Sequence, residues 1–231
     1  MFSRIVRRYD MLNRILSLGL DRKWREILVL AMADQAPLRV LDLCCGTGEV
    51  SLALLDKNRG MELVVAADFS LPMCRAAKQK FCHRFPASYA WSLTCADSLR
   101  LPFSDCTFDS VAMAFGARNL ENLDLGLSEI ARVIRPGGHV SILEFAPPDS
   151  FPLKILYRPY LRMIPPLLGR ILAGDRGAYA YLSTSIESFL PPHEMLAALQ
   201  KNGFKACRAA KLSLGITYLY TAFMCSPEKT F

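Results

Sequence analysis

The chain has 231 residues, 52% hydrophobic and 21% charged, enough to bury one sizeable core and too apolar to stay disordered. No run reaches the ~18 apolar residues that cross a bilayer, and the start MFSRIVRRYD lacks the apolar centre of a secretory signal, so the expected location is cytoplasmic. The net charge of +7 is unevenly placed: Arg4, Arg7, Arg8, Arg14, Arg22, Lys23 and Arg25 face only Asp10 and Asp21 within the first 25 residues.

Ile5, Leu12, Ile15, Leu16 and Trp24 recur at helical spacing among those arginines, which predicts an amphipathic helical arm over residues 1–36. Such a block suits an anionic lipid surface, a nucleic acid or a solvated helix face. After Pro37 a strand, turn and helix pattern repeats. RVLDLCC (39–45) leads through Gly-Thr-Gly into a helix containing Leu52 and Leu55, and LVVAADF (63–69) into a helix from Pro72 to about Phe81. A short strand at 90–95 ends in Ala96-Asp97, and SVAMAFG (110–116) is strand four. A helix with Leu123, Leu127, Ile130, Ala131 and Ile134 on one face stops at Pro136-Gly137-Gly138, before strand five, HVSILEF.

Residues 146–182 break the rhythm with six prolines, many aromatics, and Lys154, Arg158, Arg162 and Arg170 ahead of Asp175; the stretch 146–190 reads as a lid or substrate insertion. A helix near 192–202 ends at Gly203, and strands at 206–214 and 217–225 meet at Gly215, an antiparallel finish to a mostly parallel sheet. The whole chain forms one α/β domain. Its eight cysteines contain no C-x-x-C pair, which argues against structural zinc or any other metal centre. Cys74, Cys82, Cys95, Cys106, Cys207 and Cys225 are expected to be reduced and buried.

Chemistry concentrates at strand ends. Asp42-Leu43-Cys44-Cys45-Gly46-Thr47-Gly48-Glu49 lies between a buried strand and a helix, where glycines let the backbone approach a ligand. A dinucleotide loop would place a third glycine where Ser51 stands, and Asp42 and Glu49 would repel a pyrophosphate. Carboxylates suit a cation instead, and S-adenosylmethionine carries both a sulfonium and an ammonium. Asp68 ends strand two, where it can accept both ribose hydroxyls; Asp97, with Ser98 beside it, is placed for the adenine amino group. Each aspartate alone also reads as a loop cap. Cys44 and Cys45 read as packed side chains beneath the loop rather than nucleophiles.

These residues, together with Tyr9-Asp10, Asn13, Leu18-Gly19, Arg22-x-Trp24-Arg25, LPF-x-D-x-x-FD (101–109), FGARNL (115–120), RVIRPGG and LEF, resemble a known family. Most specific is GRILAGDRGAYAYLSTSIESF (169–189), followed by Gly203-Phe204 and Leu214-Gly215. The chain resembles the ubiquinone/menaquinone biosynthesis C-methyltransferases of UbiE/MenG type, within the class I S-adenosylmethionine-dependent methyltransferases. The resemblance implies a Rossmann-like α/β fold, a mostly parallel seven-stranded sheet with an antiparallel C-terminal strand and helices on both faces. It implies cofactor contacts at Thr47, Asp68, Asp97, Ser98 and Ala114, with Gly46 and Gly48 shaping the loop; Asp42 joins them from the acidic character of the loop itself. Cys45 departs from a common glycine and Glu49 from a common aspartate.

The implied reaction methylates a ring carbon of a polyprenylated hydroquinone, with demethylmenaquinol favoured as acceptor over a methoxy-polyprenyl benzoquinol. The attacking carbon becomes a good nucleophile when a ring hydroxyl loses its proton, so the site must stabilise a phenolate. Arg118 and Asn119 follow strand four at the sheet's carboxyl edge; the resemblance implicates the arginine in catalysis, and its permanent charge suits phenolate stabilisation better than proton abstraction. A surface salt bridge is its plainer role. Asp175, Tyr179 and Tyr181 are weaker substrate-side candidates, with aromatic packing as their ordinary explanation. The chain lacks the D/N-P-P-Y and Pro-Cys motifs of nucleic-acid methyltransferases, so nucleic acid is not the expected partner. The expected partners are the quinol and an anionic membrane surface met by residues 1–25 and 150–172, on the inner face of the membrane; a homodimer is compatible with the sequence. The alternatives are a sterol or phospholipid methyltransferase, a noncatalytic S-adenosylmethionine-binding protein, and an NAD-dependent oxidoreductase, which the acidic loop disfavours.

Overall fold

The computed structural model describes residues 6–57, 60–85, 90–146 and 184–226. Two helices, α1 (Val6–Leu16) and α2 (Leu20–Ala33), precede a seven-stranded sheet built from β1 (Arg39–Leu43), β2 (Leu63–Asp68), β3 (Trp91–Cys95), β4 (Phe108–Ala114), β5 (Ile134–Phe145), β6 (Phe204–Leu212) and β7 (Thr217–Met224). Between them run α3 (Glu49–Lys57), α4 (Leu71–Arg84), α5 (Leu123–Val133) and α6 (Pro192–Lys201). The strand order is β3-β2-β1-β4-β5-β7-β6. β1 to β5 pair in parallel, and β7 is antiparallel to both β5 and β6. The expected mostly parallel sheet with one antiparallel C-terminal strand is therefore present.

Period-two alternation sends the strand side chains into two apolar layers. Leu41, Leu43, Val111, Met113, Val140 and Ile142 pack with Leu127 and Ile130 of α5 and Met195 and Leu199 of α6. Val40, Val64, Ala112 and Leu143 face Leu28 and Met32 of α2, Leu54 of α3 and Phe81 of α4. Burial on both sides is what a parallel sheet requires, and it explains why its strands read as apolar runs.

The helical arm is made of two helices, with Leu18 (φ 53°) and Gly19 (φ 80°) turning the chain between α1 and α2, and two other expectations are corrected. Trp24, Leu28, Val29 and Met32 then enter the core, whereas Ile15 is 41% exposed. α5 ends at Val133, and Pro136-Gly137-Gly138 lies inside β5, where the β4 pairing shifts register between Phe108 and Ser110. Cys74 is buried, but Cys82, Cys95 and Cys106 are exposed; they sit on α4, at the end of the edge strand β3 and in the turn before β4, which no layer covers. Among the described residues no helix is long and apolar enough to cross a membrane.

Candidate active site

The sheet order reverses at β1, which has β2 on one side and β4 on the other, and a crevice opens between such carboxyl ends. The chain leaves both flanking strands under strain: Cys44 (φ 57°) follows β1 and Phe115 (φ 58°) follows β4, conformations that L residues rarely hold without function or firm packing. Two glycines make the crossing feasible. A Cβ at Gly48, itself at φ 83°, would lie 2.5 Å from the Phe81 ring, and one at Gly116 would lie 2.5 Å from the Cys44 Cβ.

On the β1–β2 side, Asp68 is clasped by backbone: Gly46 N–H donates to its Oδ2 and Ser70 N–H to its Oδ1, both at 2.8 Å. Each oxygen keeps a further lone pair for a hydroxyl donor. Burial pushes its pKa upward. Asp42 lies deeper, with Oδ2 accepting Ser51 N–H at 2.9 Å and Ser51 Oγ–H at 2.5 Å. Its Oδ1 is buried without a partner, and burial lifts its pKa to about 7. The serine that breaks the dinucleotide motif is thus the partner of the acidic residue.

The wall of this loop is completed by Asp10 and Lys80, which loop spacing alone did not single out. Thr47 Oγ1 donates to Asp10 Oδ1 of α1 at 2.7 Å. Lys80 of α4 reaches Asp10 at 2.7 Å, Thr47 at 3.0 Å and Glu49 at 2.5 Å. Ser98 is buried, with its hydroxyl 3.4 Å from the Cys44 sulfur. Asp97 is exposed and accepts the Leu99 N–H at 2.9 Å, the loop-capping arrangement open to it from sequence. Burial drives the Cys44 thiol up to about 12 and raises Cys45 as well, the opposite of an activated nucleophile.

On the β4–β5 side, Ala114 ends its strand half-buried, and Ala117–Asn119 form a single 3₁₀ turn. Arg118 is not a surface ion pair: its side chain is 5% exposed and that of its partner Glu144 is 0% exposed. The Arg118 guanidinium donates to Glu144 Oε1 at 2.5 Å and to the Phe115 carbonyl at 2.8 Å, and Asn119 Nδ2 donates to the same carbonyl at 3.2 Å. Trp24, Phe115 and Phe145 form an aromatic cluster beside it, with Arg25 and Arg118 lying over two of the rings. Glu144 could have been found from sequence: like Asp42 and Asp68, it is a carboxylate in an otherwise apolar strand end. Asp175, Tyr179 and Tyr181, and nearly all of the expected lid, lie outside the described residues.

An open α/β sheet of this order, with acidic residues at consecutive strand ends, defines the class I S-adenosylmethionine-dependent methyltransferase fold. Solved structures share it: the [4+2]-cyclase SpnF (TM-score 0.69, 16% identity, 91% of this chain and 83% of that one) and a SAM-dependent methyltransferase from Aquifex aeolicus (0.58, 17%, 81% and 82%). The model of the ubiE/COQ5 methyltransferase family matches residues 1–224, and the chain belongs to that family. It is 40% identical to a demethylmenaquinone methyltransferase of Thermus thermophilus over 95% of this chain and 98% of that protein. It is 36% identical to one from Bacteroides fragilis (96% and 90%), and 39% identical to a ubiquinone/menaquinone biosynthesis C-methyltransferase from Syntrophotalea carbinolica (96% and 91%).

The residues present fit the methyl donor expected of this family. The unpartnered, buried Asp42 Oδ1 and the backbone-clasped Asp68 offer acceptors to a cationic, ribose-bearing ligand.

Proposed function

We propose that this protein methylates a ring carbon of a polyprenylated naphthohydroquinone, converting demethylmenaquinol to menaquinol. The supporting observation is 36–40% identity, over at least 95% of the chain, to proteins named demethylmenaquinone methyltransferase. S-adenosylmethionine, when bound, supplies an electrophilic methyl group on a sulfonium. Asp68 takes the ribose hydroxyls, while Gly46, Thr47 and Gly48 line the amino-acid tail and Asp42 supplies negative charge beneath them. Asp97, Ser98 and Ala114 flank the adenine. Arg118 stabilises the acceptor phenolate and Asn119 orients it, with Trp24, Phe115 and Phe145 supplying an apolar, water-excluding wall. Asp175, Tyr179 and Tyr181 are assigned to the substrate side.

The isoprenoid tail calls for peripheral contact with anionic lipid. Leu18, 85% exposed at the α1–α2 turn and near exposed Arg14, Arg22 and Lys23 in sequence, supports that reading. Labelled S-adenosylmethionine supplied with demethylmenaquinol and, separately, with a methoxy-polyprenyl benzoquinol tests the assignment: label is expected in the naphthoquinol, and absence from both rejects it. Cosedimentation with anionic vesicles no better than with neutral ones rejects the membrane reading.

A further inference from the structure

Glu144 carries its carboxyl group at the end of an apolar strand, 0% exposed, where burying such a group is costly unless it is paired and hydrogen-bonded. It accepts three N–H groups: the Arg118 backbone N–H on Oε2 at 3.1 Å, and the Arg118 guanidinium at 2.5 Å and its neighbour Phe145 N–H at 2.9 Å on Oε1. The same guanidinium is fixed on two further sides, by the Phe115 carbonyl at 2.8 Å and by the Phe145 ring, whose centroid lies 5.3 Å from Cζ. One carboxylate therefore holds both the main chain and the side chain of Arg118.

The cluster is incomplete. Arg118 Nε and Asn119 Oδ1 are buried and have no hydrogen-bond partner. An ion pair kept only for stability gains nothing from orphaned polar atoms, and well-packed apolar side chains would replace it at little cost. A donor on an immobilised guanidinium and an acceptor on the next residue, both left without a protein partner, fit groups held ready for a polar ligand.

We propose that Glu144 is the positioning residue of the acceptor site: by gripping the backbone N–H and guanidinium of Arg118 from the buried side, it sets the orientation in which Arg118 and Asn119 meet the acceptor oxygen. The proposal rests on the role given to Arg118 under Proposed function. Glu144 touches no substrate and acts through Arg118, so its removal affects the acceptor side and spares the donor side.

The test compares wild type, Arg118→Ala, Glu144→Gln and the double variant in steady-state kinetics with demethylmenaquinol, with calorimetric binding of S-adenosylmethionine as a check on folding. Glutamine keeps the size but presents an amide N–H₂ to donors and leaves the guanidinium without its counter-charge. Arg118→Ala is expected to lower kcat about 100-fold, and Glu144→Gln at least tenfold with donor affinity unchanged. In the double variant the glutamine adds no further loss, since both changes disable one group.

Wild-type kcat in a Glu144→Gln protein that still binds donor, or equal losses with and without Arg118, overturns the proposal. Should Glu144→Gln not fold, Glu144→Asp retains the charge but withdraws it by one methylene; reduced kcat at unchanged donor affinity supports the proposal, and wild-type kcat overturns it. A readout independent of turnover is the affinity for the 2-hydroxy-1,4-naphthoquinone anion, followed by absorbance. It should fall at least tenfold in Arg118→Ala and Glu144→Gln alike, and a loss in the first without the second overturns the role of Glu144. If wild type binds this anion through both residues yet methylates neither quinol, the substrate assignment fails while the positioning role stands.

Discussion

The Thr47 hydroxyl donates to the Asp10 carboxylate at 2.7 Å, so the N-terminal helix forms one wall of the loop that follows β1. Lys80 ties the same two residues to α4. Lys80 and its two acidic partners are each about one-third exposed, so the network adds only about 1 kcal/mol to global stability. Its effect is local: Lys80→Met is expected to weaken S-adenosylmethionine about tenfold by calorimetry and to speed tryptic cleavage at Arg14, with little change in melting temperature. Unchanged donor affinity would dismiss the wall as structural trim.

Asp42 makes stability fall as pH rises. Its pKa is about 7 in the folded protein against an ordinary 3.8. Between those values the unfolded chain gives up the proton and the folded chain keeps it, which costs the folded state up to about 4 kcal/mol by neutral pH. Below pH 4 the effect is absent, and above pH 7 it is constant. Asp42→Asn cannot ionise, so its urea-denaturation stability should gain on wild type across that window; parallel curves would refute the assignment.

The same group couples proton release to donor binding. A cation brought beside Asp42 favours its carboxylate form, so affinity for S-adenosylmethionine is expected to rise from pH 6 to pH 8. Calorimetry in buffers of different ionisation enthalpy should detect protons leaving. Asp42→Asn should flatten the profile.

Trp24 bonds Ser213 across 189 residues, Nε1 to Oγ at 2.9 Å, joining α2 to the turn between β6 and β7. Trp24→Phe keeps the aromatic packing and loses the bond, at about 1 kcal/mol. Trp24→Ala also empties the space against Phe115 and Phe145 and should cost about 3–5 kcal/mol in chemical denaturation.

The two loop glycines should separate backbone strain from collision. Nothing lies within 4 Å of a Cβ at Gly46, which has φ 55°, so Gly46→Ala should cost about 1 kcal/mol. Gly48→Ala adds contact with the Phe81 ring and should cost about 2–3 kcal/mol more. Equal thermal shifts would show that the ring yields.

The parallel sheet, its carboxyl edge as the ligand side and the first loop were legible because apolar runs and the glycine turns between them are local signals. What escaped was long-range partnership. Asp10 counted as a charge and as part of the Tyr9-Asp10 motif, but nothing local links it to Thr47, 37 residues away, or to Lys80, 70 residues away. Arg118 was placed on the correct edge, but its burial depends on Glu144, 26 residues on. The helical character of the arm was legible, but the left-handed Leu18-Gly19 corner between its two helices was not, nor that the core claims only the second. The exposed cysteines were missed because burial statistics carry no information on which strand lies at a sheet's edge.

Asp42, Asp68 and Glu144 project from neighbouring ladders whose pairings run to their ends: Leu43 opposite Ala67 and Met113, Asp68 opposite Cys95, and Ala114 opposite Leu143. One residue added within β1, β2 or β5 would advance its carboxylate by about 3.3 Å and turn it to the other face. Extra residues where α3 joins β2 or α4 joins β3, at the far rim, would leave those side chains where they are. Length variation in this lineage should therefore gather at the rim opposite the crevice.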